Sequence, residues 1–431
     1  MRLSKKVAGA VAGMMLAPIA LSGCSSDESG GGDTLTIWHY ENDSSAMGQA
    51  WARAIEIYEE ENPDVKVVVE NQTFEQIQKN AKIVLTGDSV PDVMEFNKGN
   101  ATAGQLASQG LLYPLTEAAE SRGWDKTLSA SLQTTARYDE RGLMGSGEWY
   151  GVPNYGEYVT VYYNKDMFAD AGVEVPTTLA EFEAVLDAFT SKGITPLAEA
   201  GAEYPMGQLW YQLALSKADR NFVDSYQLFT SDVDWQGPEL TFATDTLGKW
   251  VEKGYISKDA AGLTAEDMGT SWISGKYPIM VSGSWWFGRL VDEAKFEWGQ
   301  FLFPGNTLQT GSSGNIWVVP ENAKNKENAE EFLDITLRDE VQNILGEKGG
   351  LPVAGDASKI SDEKTRVFTE DFNTINKDDG LAFYPDWPVP GFYDEIVSAL
   401  QSTVNGTKST PEVLDALKSS YEQGRADLLE E

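Results

Sequence analysis

The sequence predicts an α/β fold in two lobes, on three observations. Strand-like runs of β-branched and aromatic residues alternate with helix-period segments, the spacing of βαβ units around a mostly parallel sheet. The chain has 431 residues. Without an N-terminal leader roughly 400 remain, more than one hydrophobic core ordinarily organises. Cys24 is the only cysteine, so no intramolecular disulfide can form and packed layers have to hold the fold.

The leader comes first. Arg2, Lys5 and Lys6 precede the apolar run Val7–Ala20, which falls short of the about 20 residues of a bilayer crossing. Leu21-Ser22-Gly23-Cys24 is a lipobox, so residues 1–23 read as a signal peptide and Cys24 as the acylated, palmitate-bearing first residue of the mature chain. The other reading is ordinary secretory cleavage that leaves a free thiol. Residues 24–33 read as a flexible, solvated tether.

Thr34 to Trp38 reads as the first strand, and Asp43 or Ser44 as the cap of a helix carrying Met47, Trp51, Ala54, Ile55 and Tyr58. The β-forming run Val65 to Val69 follows. A helix with Phe74, Ile77, Ala81, Val84 and Leu85 comes next, then a short strand from Asp92 to Phe96. Tyr158 to Tyr163, Pro278 to Ser282 and Asn315 to Val319 read as further strands. Thr178 with Glu181 forms a capping box, Glu327 to Arg338 reads as a helix, and the last third is mainly helical. Asp371 to Gly380 is rich in Asp and Asn but lacks calcium-loop spacing, and reads as a solvated turn.

Composition excludes several functions. The net charge is −34, which argues against nucleic acid and anionic lipid as partners. One histidine, His39, removes HExxH and zinc-cluster chemistry. No GxSxG elbow is present, and Gly275-Lys276-Tyr277 lacks the Ser or Thr of a phosphate loop. His39 follows a strand and is either a cleft residue or a satisfied structural one. What stands out is 13 Trp and 17 Tyr. Most of these serve packing, but rings with one polar handle also suit a sugar, whose C–H face is flat and whose rim is hydroxyls.

Tyr158-Val-Thr-Val-Tyr-Tyr-Asn-Lys-Asp-Met-Phe-Ala-Asp-Ala-Gly-Val with Pro176-Thr-Thr-Leu-Ala-Glu-Phe resembles the middle of family 1 extracellular solute-binding proteins. Val90-Pro91-Asp92-Val93, Gly110-Leu-Leu-Tyr-Pro-Leu and Gly275-Lys-Tyr-Pro-Ile-Met-Val-Ser-Gly-Ser-Trp extend the likeness over the mature chain. Many such proteins serve ABC importers of oligosaccharides. The resemblance implies a periplasmic-binding-protein-like fold, two α/β lobes joined by a hinge with an inter-lobe ligand cleft. Residues 34–155 and 311–345 would form one lobe, and 156–310 and 346–431 the other. As partly independent support, ligands of open α/β sheets sit beyond the carboxyl ends of strands, which selects the same loops.

The resemblance also implies site residues. Tyr40, Glu41 and Asn42 would supply polar contacts after the first strand, and Asn97, Lys98 and Asn100 after the third. Glu157 matches a sugar-binding carboxylate, whose charge-assisted bonds are the stronger kind. Trp285 and Phe287 match stacking positions, with Trp286 turned into the core between them. Gly314 and Asn315 begin a strand where the lobes cross, and Trp387, Phe392 and Tyr393 offer a last stacking face. Trp210 has no clean anchor and reads as core; Tyr138 to Trp149 and the Trp235 region have no counterpart.

The expectation is therefore a lipid-anchored, non-enzymatic, cofactor-free substrate-binding component of an ABC importer. It would be a monomer on the extracellular face of the cytoplasmic membrane of a Gram-positive cell. Its partners would be the permease subunits, an oligosaccharide, and the membrane through Cys24 alone; nucleic acid would not be one. The ligand would be a neutral oligosaccharide of xylo-oligosaccharide or α-galactoside type, with a polyol as the other binding reading. A cell-surface glycosidase using paired carboxylates is the alternative of another class.

Overall fold

A computed structural model describes residues 34–87 and 89–430. The leader, the tether and the lipidation position Cys24 lie outside the described residues. Two sheets organise the body. In the first, β1 (Thr34–His39) pairs in parallel with β2 (Lys66–Asn71) and β3 (Val93–Phe96). The helices Ala46–Glu61 and Phe74–Leu85 make the crossovers. Buried Asp92 locks this arrangement: one carboxylate oxygen accepts from the Thr36 N–H and the other from the N–H groups of Lys324 and Asn325. A side hairpin follows, β4 (Arg137–Tyr138) with β5 (Glu148–Trp149). Then β6 (Val152–Pro153) closes the far edge of the first sheet against β12 (Ile316–Val318), which also pairs antiparallel with β3.

The second sheet is built around β7 (Gly156–Asn164), the longest strand. β8 (Leu197–Ala198) runs parallel to β9 (Ile279–Gly283), whereas β9, β10 (Trp298–Phe301) and β11 (Gly311–Ser313) all pair antiparallel with β7. The alternation of β7 explains its burial on both faces. Val159 and Val161 join one apolar core while Tyr158 and Tyr162 join the other, as side chains of a pleated strand must. The chain thus leaves the first sheet between Pro153 and Gly156 and returns between Ser313 and Ile316.

Two expectations are corrected. A mostly parallel sheet describes the β1, β2 and β3 part, and in the second sheet only the short β8–β9 pair is parallel. A parallel neighbour needs a crossover that carries the chain back to the end where the first strand began, whereas the helices between β7 and β9 bring Ile279 in beside Tyr163, at the end where β7 finishes. Residues 371–377 belong to the helix Glu363–Lys377 rather than to a turn, because Phe368, Phe372 and Ile375 give that segment a buried helical face. Elsewhere local chemistry acts as read. Thr178 Oγ1 accepts from the Glu181 N–H while the Glu181 carboxylate accepts from the Thr178 N–H.

Candidate ligand-binding cleft

The loop after β1 is folded by its own polar groups. His39 is buried with its ring stacked on Trp317, and its Nδ1 accepts from the Glu41 N–H at 3.1 Å. Burial pushes the imidazole below its ordinary value, against a smaller opposing pull from Asp43. His39 is therefore a satisfied structural residue. The turn it makes sends Glu41 inward, where Oε2 accepts from Ser45 Oγ at 3.2 Å. Ser45, not Asp43 or Ser44, caps the helix, its side chain accepting from the Gly48 N–H. Asn42 is exposed and occupied locally, its Oδ1 accepting from the N–H and hydroxyl of Ser44.

The loop after β3 is placed by Gly99. Its φ of +104° disfavours any side chain, and a Cβ there would lie 2.7 Å from Trp387 Cβ. The Ala101 N–H donates to the Trp387 carbonyl at 3.1 Å, so this loop docks directly on segment 384–388. Lys98 is carried in with it. Its ammonium donates to Glu157 Oε2 at 3.0 Å and Asn315 Oδ1 at 3.1 Å, and sits over the rings of Trp387 and Tyr384 at 5.1 and 5.6 Å. Asn97 is half-buried and its Oδ1 accepts from the Lys98 N–H. Asn100 points away: it accepts from the Met144 N–H and donates to the carbonyls of Pro388 and Gln227, a structural pin.

The crossings supply the centre. Glu157 opens β7 and Asn315 precedes β12, so each side chain stands where the chain changes sheets. Gly314 is required here because a Cβ would fall 2.1 Å from the Tyr155 ring. Asn315 Nδ2 donates to the Tyr40 hydroxyl, bringing the first loop into the same cluster. The Tyr155 hydroxyl donates to Glu95 Oε1 at 3.2 Å and the Tyr384 hydroxyl reaches Glu157 Oε2 at 3.5 Å.

An aromatic wall closes the cluster. The Trp285 indole donates to the Tyr204 hydroxyl at 3.2 Å, its ring lying edge-on to Tyr204 and 6.4 Å from Tyr384; Tyr384 lies 5.2 Å from Trp387. Phe287 does not join it. It is fully buried and stacked on Phe368 at 4.0 Å. Residues Ser284–Trp286 form a 3₁₀ turn leading into the helix Phe287–Glu293, so positions two apart do not share a face as they would in a strand. Trp286 is buried as expected, against Gly269. Phe392 is likewise core, among Tyr226, Trp235 and Tyr421, because it is the first inward residue of the helix Phe392–Val404. Tyr393 is half-buried and lines a small cavity with Tyr204, Gln208 and Asp386. Trp210 and Trp235 are core residues, the former donating to Thr244 Oγ1.

Four of the cluster's acidic and aromatic members went unread in the sequence: Glu95, Tyr155, Tyr204 and Tyr384. Only Glu95 left a signal, a carboxylate inside the fully buried strand Val93–Phe96. Burial dominates the electrostatics. It pushes Glu41 up to about 7, with Ser45 opposing and Glu157 adding, and Asp386 up to about 6. Burial and then the charge of Glu41 raise Glu95, while burial lowers Lys98 against the pull of Glu157. The arrangement is a set of strong acceptors and one ammonium beside a wall of four rings, suited to a polyhydroxylated ligand with an apolar face.

The family described as bacterial extracellular solute-binding protein matches residues 41–343. Diacetylchitobiose binding protein DasA of Streptomyces coelicolor is 27% identical over 360 residues, 79% of each chain. A maltooligosaccharide ABC transporter solute-binding lipoprotein of Streptococcus pneumoniae is 26% identical over 294 residues, 65% of this chain and 64% of its own. A chitin oligosaccharide binding protein of known structure superposes with a TM-score of 0.76 at 20% identity, over 92% of this chain and 100% of its own; that likeness is one of fold. The fold is the two-lobed one of these proteins. With a family match running from the loop after β1 into the helix Asp339–Glu347, the chain belongs to the bacterial extracellular solute-binding proteins.

Proposed function

We propose that this protein captures a neutral oligosaccharide between its lobes and delivers it to the permease of an ABC importer, without catalysis. The observation that carries the reading is the meeting of Lys98, Glu157 and Asn315 with the ring faces of Tyr384 and Trp387 where the chain crosses between sheets. A carboxylate can accept from two neighbouring hydroxyls while an indole covers the C–H face of the same ring. Relatives named for diacetylchitobiose and maltooligosaccharides support a sugar as the ligand class. Closure is a hinge motion at residues 153–156 and 313–316. The lipobox at Cys24, together with a relative named as a lipoprotein, supports an acylated anchor on the outer face of a Gram-positive cytoplasmic membrane.

The test is a calorimetric titration of xylo-, α-galacto-, malto- and chito-oligosaccharides. The reading expects saturable binding of one class, with no shortened product after prolonged incubation. Flat titrations across the panel overturn the sugar, and product release overturns the absence of catalysis.

A further inference from the structure

The Lys98 ammonium already holds what a sugar would need. It is 2% exposed, and two of its three N–H donors are committed to Glu157 and Asn315. It lies within the about 6 Å reach at which a cation is attracted to a ring face, over Trp387 at 5.1 Å and Tyr384 at 5.6 Å. A lysine that merely decorated a strand end would keep its ammonium in water, since burying it unpaired is costly. The backbone fixes it instead, through the left-handed Gly99 and the Ala101 bond to the Trp387 carbonyl. Lys98 follows β3 of the first sheet while Glu157 stands in β7 of the second, so the contact ties the two sheets together.

We infer that Lys98 is an internal competitor for the ligand and thereby a specificity-determining residue. It occupies one oxygen of the carboxylate, the amide oxygen and the ring faces that a sugar would use, and a ligand enters by replacing it. Glu157 Oε2 already takes the ammonium and the Tyr384 hydroxyl, which exhausts the two lone-pair directions of one carboxylate oxygen. A pyranose and an ammonium cannot share one side of the Trp387 indole. Displacement thus selects ligands that offer both hydroxyl donors and a flat C–H face. An acyclic polyol returns the hydrogen bonds but not the ring contact, and an anion returns neither. This inference rests on the sugar-capture reading.

Lys98→Met keeps the apolar stem and removes the charge, and Lys98→Gln keeps a donor without the charge. Each is titrated with the oligosaccharide panel and followed by amide hydrogen exchange without sugar. Both variants are expected to bind the same sugar about tenfold more tightly. Both should also exchange faster at residues 155–158 and 384–388, because the tie between the sheets is gone. Weaker sugar binding in both variants overturns the proposal and makes Lys98 an ordinary ligand donor. If no sugar binds any of the three proteins, the capture reading fails, and the exchange still decides the lysine: unchanged protection in the variants overturns its role as well.

Discussion

Two groups of rings between Tyr204 and Tyr421 look alike in composition and differ in what surrounds them. Tyr226, Trp235, Phe392 and Tyr421 pack ring on ring, with centroids 5.2 to 6.4 Å apart. Tyr204, Trp285, Tyr384 and Trp387 make ring contacts over the same range, but each touches a hydroxyl, a carboxylate or the Lys98 ammonium as well. Aromatic richness alone therefore does not mark a site. A ring held beside charged and hydroxyl groups does.

The comparison breaks most easily at the packed group. Trp235→Ala should cost about 3–5 kcal/mol of stability, the usual range for truncating a buried tryptophan, when unfolding is followed in denaturant. Sugar affinity measured well below the transition should be unchanged. Phe287→Ala should behave in the same way, since its ring lies on Phe368. A loss of affinity without loss of stability would return Phe287 to the cleft. In the other group, Trp387→Ala should cost about 2 kcal/mol of binding or more, as central aromatic anchors do, with the smaller stability change. Glu157→Gln should cost about 1.5 kcal/mol of binding, toward the low end for a hydrogen bond to a charged group. Equal calorimetric affinities for wild type and variant would remove Glu157 from the site.

The smallest expected effect concerns pH. Glu41 has an ordinary value of 4.5 and is raised to about 7 in the folded protein. Below 4.5 both folded and unfolded chains hold the proton. Between 4.5 and about 7 the unfolded chain has released it while the folded one has not, so stability falls as pH rises through that window. Asp386, raised from 3.8 to about 6, acts in the same direction. Glu41→Gln should flatten part of this slope in unfolding curves taken across that range, and an unaltered slope would assign it to Asp386 and Glu95.

Much of the scaffold was legible because period and capping are local. The helix at Thr178 begins where its capping box says, and β1, β2, β3, β7 and β9 lie within a residue or two of their apolar runs. The direction of the second sheet's strands was not legible, because it depends on where a long helical excursion brings the chain back. The cleft was partly legible. Tyr40, Lys98, Glu157 and Asn315 come together, joined by bonds between residues more than 50 positions apart, with Trp387 under the ammonium and Trp285 reached through Tyr384, while Glu41 bonds locally to Ser45. Phe287 and Phe392 were misdirected for one physical reason: each sits at a helix start, where a single residue's advance turns a side chain by about 100°. Glu95 and Tyr384 act through tertiary neighbours that no window of sequence contains.

Amide hydrogen exchange on sugar binding reports where the ligand sits. With a saturating oligosaccharide from the binding class, new protection is expected at residues 97–101, 155–158, 284–286 and 384–388, as it must be if the sugar sits between the crossings and the aromatic wall. Residues 223–235 and 392–400, around the packed rings, should not change. Protection confined to those packed segments, or absent from both 155–158 and 384–388 while calorimetry shows saturation, would contradict it.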